Sequence, residues 1–235
     1  MKFSGFDVNR VNCNYFSKGA QLAYYKEEFF ELLPAEKDLF LKHIRSGQSV
    51  LDIGCGAGRT TSHIKLLTEN VIGIDLSEAL IGAAREKFPS MDFRVMDAVR
   101  MDFPDNLFDV LVFSYNGLCY VHPEEKRMAA IDEIKRVLKP GGVYIFSSFN
   151  RFYPLALYAL LNLTLTKIIL GFSSNYRIHV TRHGITVNYE TSPEEETTLF
   201  QSMGFELIEQ VPMTERVGMW GYKPAVLTYY AFRKL

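Results

Sequence analysis

The chain has 235 residues, a formal charge of −1 and 48% hydrophobic residues, which suits one large domain or a domain with an insertion. A charge so near zero excludes binding of nucleic acid by phosphate neutralisation. Cys13, Cys55 and Cys119 are scattered and odd in number, so they read as reduced thiols of a cytoplasmic protein, with no metal-ligand spacing among them.

Residues 1–10 lack the apolar core of a signal peptide. An aromatic-rich run follows at 15–25, and Pro34 then opens a helix over 34–45, with Leu39, Phe40, His43 and Ile44 on one side and Gly47 as a stop. Strand one is expected at 49–53. It runs into Gly54-Cys55-Gly56-Ala57-Gly58-Arg59, and a helix-like segment occupies 60–67. Glycines in a strand-to-helix turn let the backbone bend sharply and approach a ligand, because no Cβ intervenes. The helix start behind them offers N–H groups to an anionic group. A nicotinamide dinucleotide fingerprint would place its third glycine at 59, where this chain has Arg59.

Strand two is expected at 71–75, a helix at 78–87, strand three at 93–96 and strand four at 110–114, the last apolar enough for burial on both faces. His122-Pro123-Glu124 opens a helix that runs to Leu138, and Lys139-Pro140-Gly141-Gly142 reads as a sharp stop before strand five at 143–147. Residues 154–172 are nearly continuous apolar sequence. Asn162, Thr164, Thr166 and Lys167 interrupt them, so they read as a buried or lid-forming helix, with an interfacial helix as the alternative and membrane insertion disfavoured. Alternating residues at 176–181 and 185–190 predict a hairpin turning at His183-Gly184, which pairs Ile178 with Tyr189 and Arg177 with Glu190. Ser192-Pro193-Glu194-Glu195 is a capping box for a helix ending near Gly204. Residues 205–211 and 225–233 are the last two strands, expected as antiparallel neighbours. The alternation implies a doubly wound α/β fold with a mostly parallel sheet, whose ligand sits at the carboxyl ends of the strands.

The run 50–59, with Asp52 before G-x-G-x-G, closely resembles the first motif of the class I S-adenosylmethionine-dependent methyltransferases. Runs 72–77, 96–98, 107–115 and 138–144 resemble that family too, and the likeness covers 21–234 apart from an insertion at 150–191. It implies a single methyltransferase domain over 1–235 with a seven-stranded Rossmann-like sheet and an antiparallel last strand. Residues 1–33 would be lid or lead-in helices, and the helix-plus-hairpin insertion after strand five would set substrate specificity.

The resemblance implies S-adenosyl-L-methionine as cofactor, held by Gly54, Cys55, Gly56 and Gly58 of the turn, Asp75 and Leu76 after strand two, Asp97 and Ala98 after strand three, and Ser114 and Tyr115 after strand four. An ionised acid at 75 has acceptor sites for both ribose hydroxyls, and an acceptor at 97 beside the Ala98 N–H suits a purine edge. Asp52 reads as a cofactor-binding acid that orients the turn or meets the methionine amine through water, or as a capping acid near a helix start. Arg59 reads as a partner for the methionine carboxylate or as a solvated helix arginine. Tyr24 reads as the tyrosine that closes over the cofactor in many small-molecule methyltransferases, or as aromatic packing.

The stretch 115–122 has no Asn/Asp-Pro-Pro-aromatic motif, which argues against a nucleobase or amide acceptor. Protein arginine methyltransferases use two spaced glutamates, whereas Glu124 and Glu125 are adjacent. A small-molecule acceptor, methylated at O, N or C, is left as the expectation, with a quinone-like lipid or a non-catalytic regulator as rivals. His122 is the candidate general base, or a histidine at a helix start with no chemistry. Asn116, Tyr120, Asn150, Arg151, Tyr153 and His179 are candidate substrate contacts, although His179 and its basic neighbours also read as a solvated hairpin face. A monomer or homodimer is expected.

Overall fold

The structure, a computed structural model, describes residues 7–24, 31–151, 175–181, 184–213 and 227–235, with Thr166 and Ile169 between them. Four short strands come first: β1 (Val50–Ile53), β2 (Val71–Asp75), β3 (Asp92–Val95), a more polar edge strand, and β4 (Phe108–Phe113). They lie parallel in the order β3-β2-β1-β4, and β5 (Leu138–Asn150) continues the sheet beside β4. β9 (Leu227–Lys234) runs antiparallel along β5, and β8 (Phe205–Pro212) antiparallel along β9. These seven strands form the mostly parallel sheet with an antiparallel strand near one edge that the family resemblance implies.

Two features of β5 differ from expectation. β5 begins directly at Leu138 rather than at 143, because the Lys-Pro-Gly-Gly stretch does not leave the sheet. Phe108 pairs with Leu138 and Val110 with Val143, so the extra residues form an irregularity in the ladder. β5 also runs on to Asn150, and its end pairs with β7 (Gly184–Thr191) at Glu190 and Thr191. The hairpin of β6 (Tyr176–Thr181) and β7 thereby joins the sheet and brings it to nine strands.

The hairpin turn falls one residue earlier than the sequence suggests. Thr181 pairs with Gly184, Ile178 with Val187, Arg177 with Asn188 and Tyr176 with Tyr189. Glycine at 184 has φ 135° and opens the returning strand instead of sitting inside the turn. The shift keeps the apolar face intact, because moving both turn residues by one displaces the pairing by two, which is the side-chain period. Tyr176, Ile178, Val187 and Tyr189 pack together with Val8 and Cys119.

Helices cover both faces. α3 (Pro34–His43) and α4 (Arg59–Lys65) bury Leu39, Phe40 and Ile64 on Val50, Val110, Val112 and Ala231. On the other face α6 (Glu124–Val137) and α7 (Pro193–Ser202) bury Ile131, Ile134 and Phe200 on Leu51, Leu111, Phe146 and Phe232. Alternate residues of β1, β4 and β9 serve opposite faces, as the pleat requires. α5 (Glu78–Lys87) is capped by Ser77, and α7 starts with the expected reciprocal bonds between Ser192 and Glu195, both 3.1 Å. At the N-terminus α1 (Val8–Ser17) and α2 (Gly19–Ala23) lie ahead of this core.

Candidate active site

Three glycines shape the turn after β1 for three different reasons. All have positive φ, at 64°, 58° and 85° for Gly54, Gly56 and Gly58. A Cβ on Gly54 would stand 2.7 Å from the Phe113 ring, and one on Gly58 2.8 Å from Phe93. Gly56 has nothing within 4 Å of that position, so its bare backbone faces open space. That space is a cavity of about 290 Å³ at the carboxyl ends of β1, β2 and β4. Its floor is made by residues 53–57, 75–77, 96–99 and 113–115, and α1 roofs it through Asn9, Asn12, Cys13, Phe16 and Ser17.

Asp75 connects floor and wall. Its Oδ2 accepts the Gly56 N–H at 3.0 Å and its Oδ1 the Ser77 N–H at 2.8 Å. Burial raises its carboxyl pKa, and those backbone bonds oppose the rise. Each oxygen keeps acceptor capacity beyond those bonds. Leu76 beside it is 56% exposed at the rim, an apolar side chain presented to solvent next to a polar grip. Asp97 and Ala98 lie on the wall beyond. Asp97 is exposed and ties Oδ1 to the Val99 N–H at 3.0 Å, an Asx turn.

Asp52 is fully buried and outside the cavity wall. Its Oδ2 accepts the hydroxyls of Thr60 and Thr61, both at 2.6 Å, so the acid fastens the start of α4 to β1. Burial, only partly opposed by those threonines, pushes its pKa up to about 6. A carboxyl raised in the folded state contributes stability that is fully present below its unfolded pKa and lost as pH rises through the folded value. Urea unfolding is therefore expected to show Asp52→Asn gaining about 3 kcal/mol on the native chain between pH 4 and pH 7. Equal pH slopes for the two proteins would refute this assignment.

Arg59 is neither a solvated helix arginine nor a loose cation. It is 8% exposed and donates to both oxygens of Glu36, at 2.5 and 2.7 Å, with a third bond of 3.1 Å to the Glu31 carbonyl. Glu36 is wholly buried and also accepts from the Leu33 N–H, the Ser114 hydroxyl and the Tyr229 hydroxyl. Arg59 still borders the cavity, but its charge is matched.

Beyond Ser114 the chain does something the sequence did not disclose. Tyr115 and Asn116 both take positive φ, at 53° and 64°, a conformation of order 1–3 kcal/mol in cost for non-glycine residues. The Ser147 hydroxyl accepts the Asn116 N–H at 2.8 Å and fixes the bend. A 3₁₀ turn, Gly117–Tyr120, follows. A Cβ on Gly117 would meet the same Phe113 ring at 2.0 Å, so the loops after β1 and β4 close on one aromatic side chain. Tyr115 and Tyr120 reach the cavity, whereas Asn116 is buried behind it.

His122 is half-buried in the wall, its ring edge-on to Tyr176 at 4.7 Å, and burial lowers its pKa. Tyr24, Gly58, Asn150, Arg151 and His179 stand outside the cavity lining. Asn150 binds Thr228 at 2.9 Å, Arg151 binds Glu195 at 2.6 Å and His179 binds Glu190 at 2.9 Å, so these side chains join the hairpin and its neighbours. Tyr153 lies outside the described residues, as do Arg182, His183 and most of the apolar run 154–172. Among the described residues no helix is long and apolar enough to cross a membrane.

Residues 50–142 match the family described as a methyltransferase domain. Over those residues, fewer than half of the chain, the sequence is similar to methyltransferase domains. A probable S-adenosylmethionine-dependent methyltransferase of Mycolicibacterium smegmatis is 34% identical over 111 residues, 47% of this chain and 42% of that protein. A demethylmenaquinone methyltransferase of Paenarthrobacter aurescens is 30% identical over 107 residues, 46% and 41% of the two chains. The chain thus spans less than half the length of these curated relatives. The crystal structure of a methyltransferase from Methanosarcina mazei shares the fold, with a TM-score of 0.74 over 87% of this chain and 99% of that one, at 23% identity.

The methyltransferase cofactor fits the residues present. Gly56 leaves room for the amino-acid end, and Asp75 presents acceptors where a ribose diol would bind. Glu36 neutralises the arginine beside the glycine turn, so that turn is not built around a spare cation for a pyrophosphate. The sequence does not single out Glu36, and it marks 1–33 only as lid or lead-in helices without pointing to the α1 residues Asn9, Asn12, Cys13, Phe16 and Ser17 that border the cavity.

Proposed function

We propose that the chain transfers a methyl group from S-adenosylmethionine to a small organic acceptor at O, N or C. The observation that carries this reading is the Asp75–Gly56 bridge facing a roofed cavity at the glycine turn. When bound, the cofactor supplies an electrophilic methyl on a positively charged sulfur. In-line displacement from such a centre disperses charge, so orientation and exclusion of water can supply most of the rate, with effective molarities of about 10⁵–10⁸ M as the scale. The α1 roof excludes water, and Phe16 and Tyr120, edge to face at 4.8 Å, wall the cavity with aromatic surface. Calorimetry with S-adenosylhomocysteine, followed by turnover against a broad acceptor panel, tests the reading. Binding without turnover on any acceptor would favour a regulator instead.

An O–H acceptor must lose its proton, and His122 is the base this reading assigns. Burial lowers its pKa, so the imidazole is neutral at pH 7 and able to accept that proton at a ring nitrogen. The acid limb of kcat/KM is expected below the ordinary histidine range. His122→Gln should lower kcat by about 10²–10⁴-fold and remove that limb. A variant with native rate and native pH profile would take His122 out of the chemistry.

One observation favours a lipid-like acceptor as second reading. Val180 and Ile185 face each other across the outer end of the hairpin, 44% and 42% exposed. The apolar run 154–172 precedes that hairpin in sequence, and a relative bears the name demethylmenaquinone methyltransferase. Flotation with phospholipid vesicles separates the two readings, since a protein that stays with the soluble fraction has no such surface.

A further inference from the structure

The roof helix is polar, yet one of its polar residues is buried. Val8, Asn12 and Tyr15 form the inward face of α1, and Asn12 is only 5% exposed. Its carboxamide is fully engaged with main chain. Oδ1 accepts the Val187 N–H at 2.8 Å, and Nδ2 donates to the Val187 carbonyl at 2.7 Å and the Tyr120 carbonyl at 3.2 Å. Val187 stands opposite Ile178 in the hairpin. Because both its main-chain groups turn to Asn12, they point away from β6, onto an edge of β7 that β5 meets only further on, at Glu190 and Thr191. Asn12 therefore takes the place of a neighbouring strand on an open edge. Its third bond holds the 3₁₀ turn that carries Tyr120, one of the cavity walls. At the far end of α1, Ser17 meets Ser77 at 2.7 Å, on the residue that caps α5 beside Asp75.

We infer that Asn12 is a positioning residue that latches the α1 roof to the β6–β7 hairpin, so that the cofactor side and the hairpin close as one body. The inference rests on the cavity being the cofactor site. No described residue of β7 lines that cavity, so the hairpin can sense the cofactor only through elements such as α1. A merely structural asparagine would affect stability without linking the two segments.

Hydrogen–deuterium exchange on the full chain, with and without S-adenosylhomocysteine, tests the latch. In the native protein the compound should slow exchange in 8–17 and in 184–190 together, by about 5- to 150-fold, the usual range for a coupling between sites. In Asn12→Leu, α1 should still gain protection while β7 gains none. If the leucine variant does not fold, Asn12→Asp serves, since it keeps the acceptor oxygen but loses both donors and faces a carboxylate to two carbonyls. Binding with β7 unprotected in the native protein, or with β7 still protected in a folded variant, overturns the latch alone. Failure of the native protein to bind the compound overturns the cofactor reading and the latch with it.

Discussion

Asp75→Ala is expected to weaken binding of S-adenosylhomocysteine by roughly 100-fold, about 3 kcal/mol, while the chain stays folded. The carboxylate offers charge-assisted acceptors to a ribose diol, and each such bond contributes about 1.5–3 kcal/mol. Two effects on stability oppose each other. The Gly56 and Ser77 N–H groups lose their acceptor, while a carboxyl whose pKa burial raises is no longer confined. Asp75→Asn, with one acceptor retained, should fall between the two. Titration calorimetry reads the affinity and thermal unfolding reads the fold. An unchanged Kd in a folded alanine variant would move the ribose elsewhere.

Glu36→Ala is expected to cost stability rather than affinity, by about 3–5 kcal/mol, because it leaves Arg59 buried without its counter-charge. For a chain of this length that corresponds to a fall in Tm of about 10 °C. Replacing both partners, Glu36→Leu with Arg59→Met, should recover most of the loss, since a buried ion pair is worth far less than one broken partner costs. Losses of the same size in the single and double variants would show that the pair's charges are not what matters. The pH dependence has a definite sign. Burial by itself would raise the Glu36 pKa, but the Arg59 charge and the hydrogen bonds from Arg59 and Ser114 outweigh it and hold it below its ordinary value. A carboxyl depressed in the folded state contributes stability above its unfolded pKa and loses it as pH falls through the folded value. The native chain should therefore lose its advantage over the double variant in acid.

The strands and the glycine turn were legible because their signals are local. Apolar runs such as 50–53 and 110–113 end at glycine or at polar turns, and three alternate glycines admit few conformations besides a bend. The partnership of Glu36 and Arg59 was not legible, since the residues sit on different helices and only the packing of α3 against α4 brings them together. Glycine and proline at 140–142 misled in the opposite way. They read as a break, yet the sheet absorbs them as a bulge and β5 runs past both expected ends. The α1 roof had a faint signal. Val8, Asn12 and Tyr15 recur at helical spacing, but an asparagine in the middle of such a face reads as polar surface unless its strand-edge partner is known.

The ring of Phe113 fills the volume that side chains at 54 and 117 would need. Positions 113 and 117 are therefore free to vary only in concert, while the positive φ at 54 holds that position to glycine as well. A chain with a small residue at 113 gains space for alanine at 117, while an aromatic there demands two bare backbones at once. The turn that would cradle a cofactor and the loop that would face an acceptor share a single pivot, and drift in one becomes drift in the other.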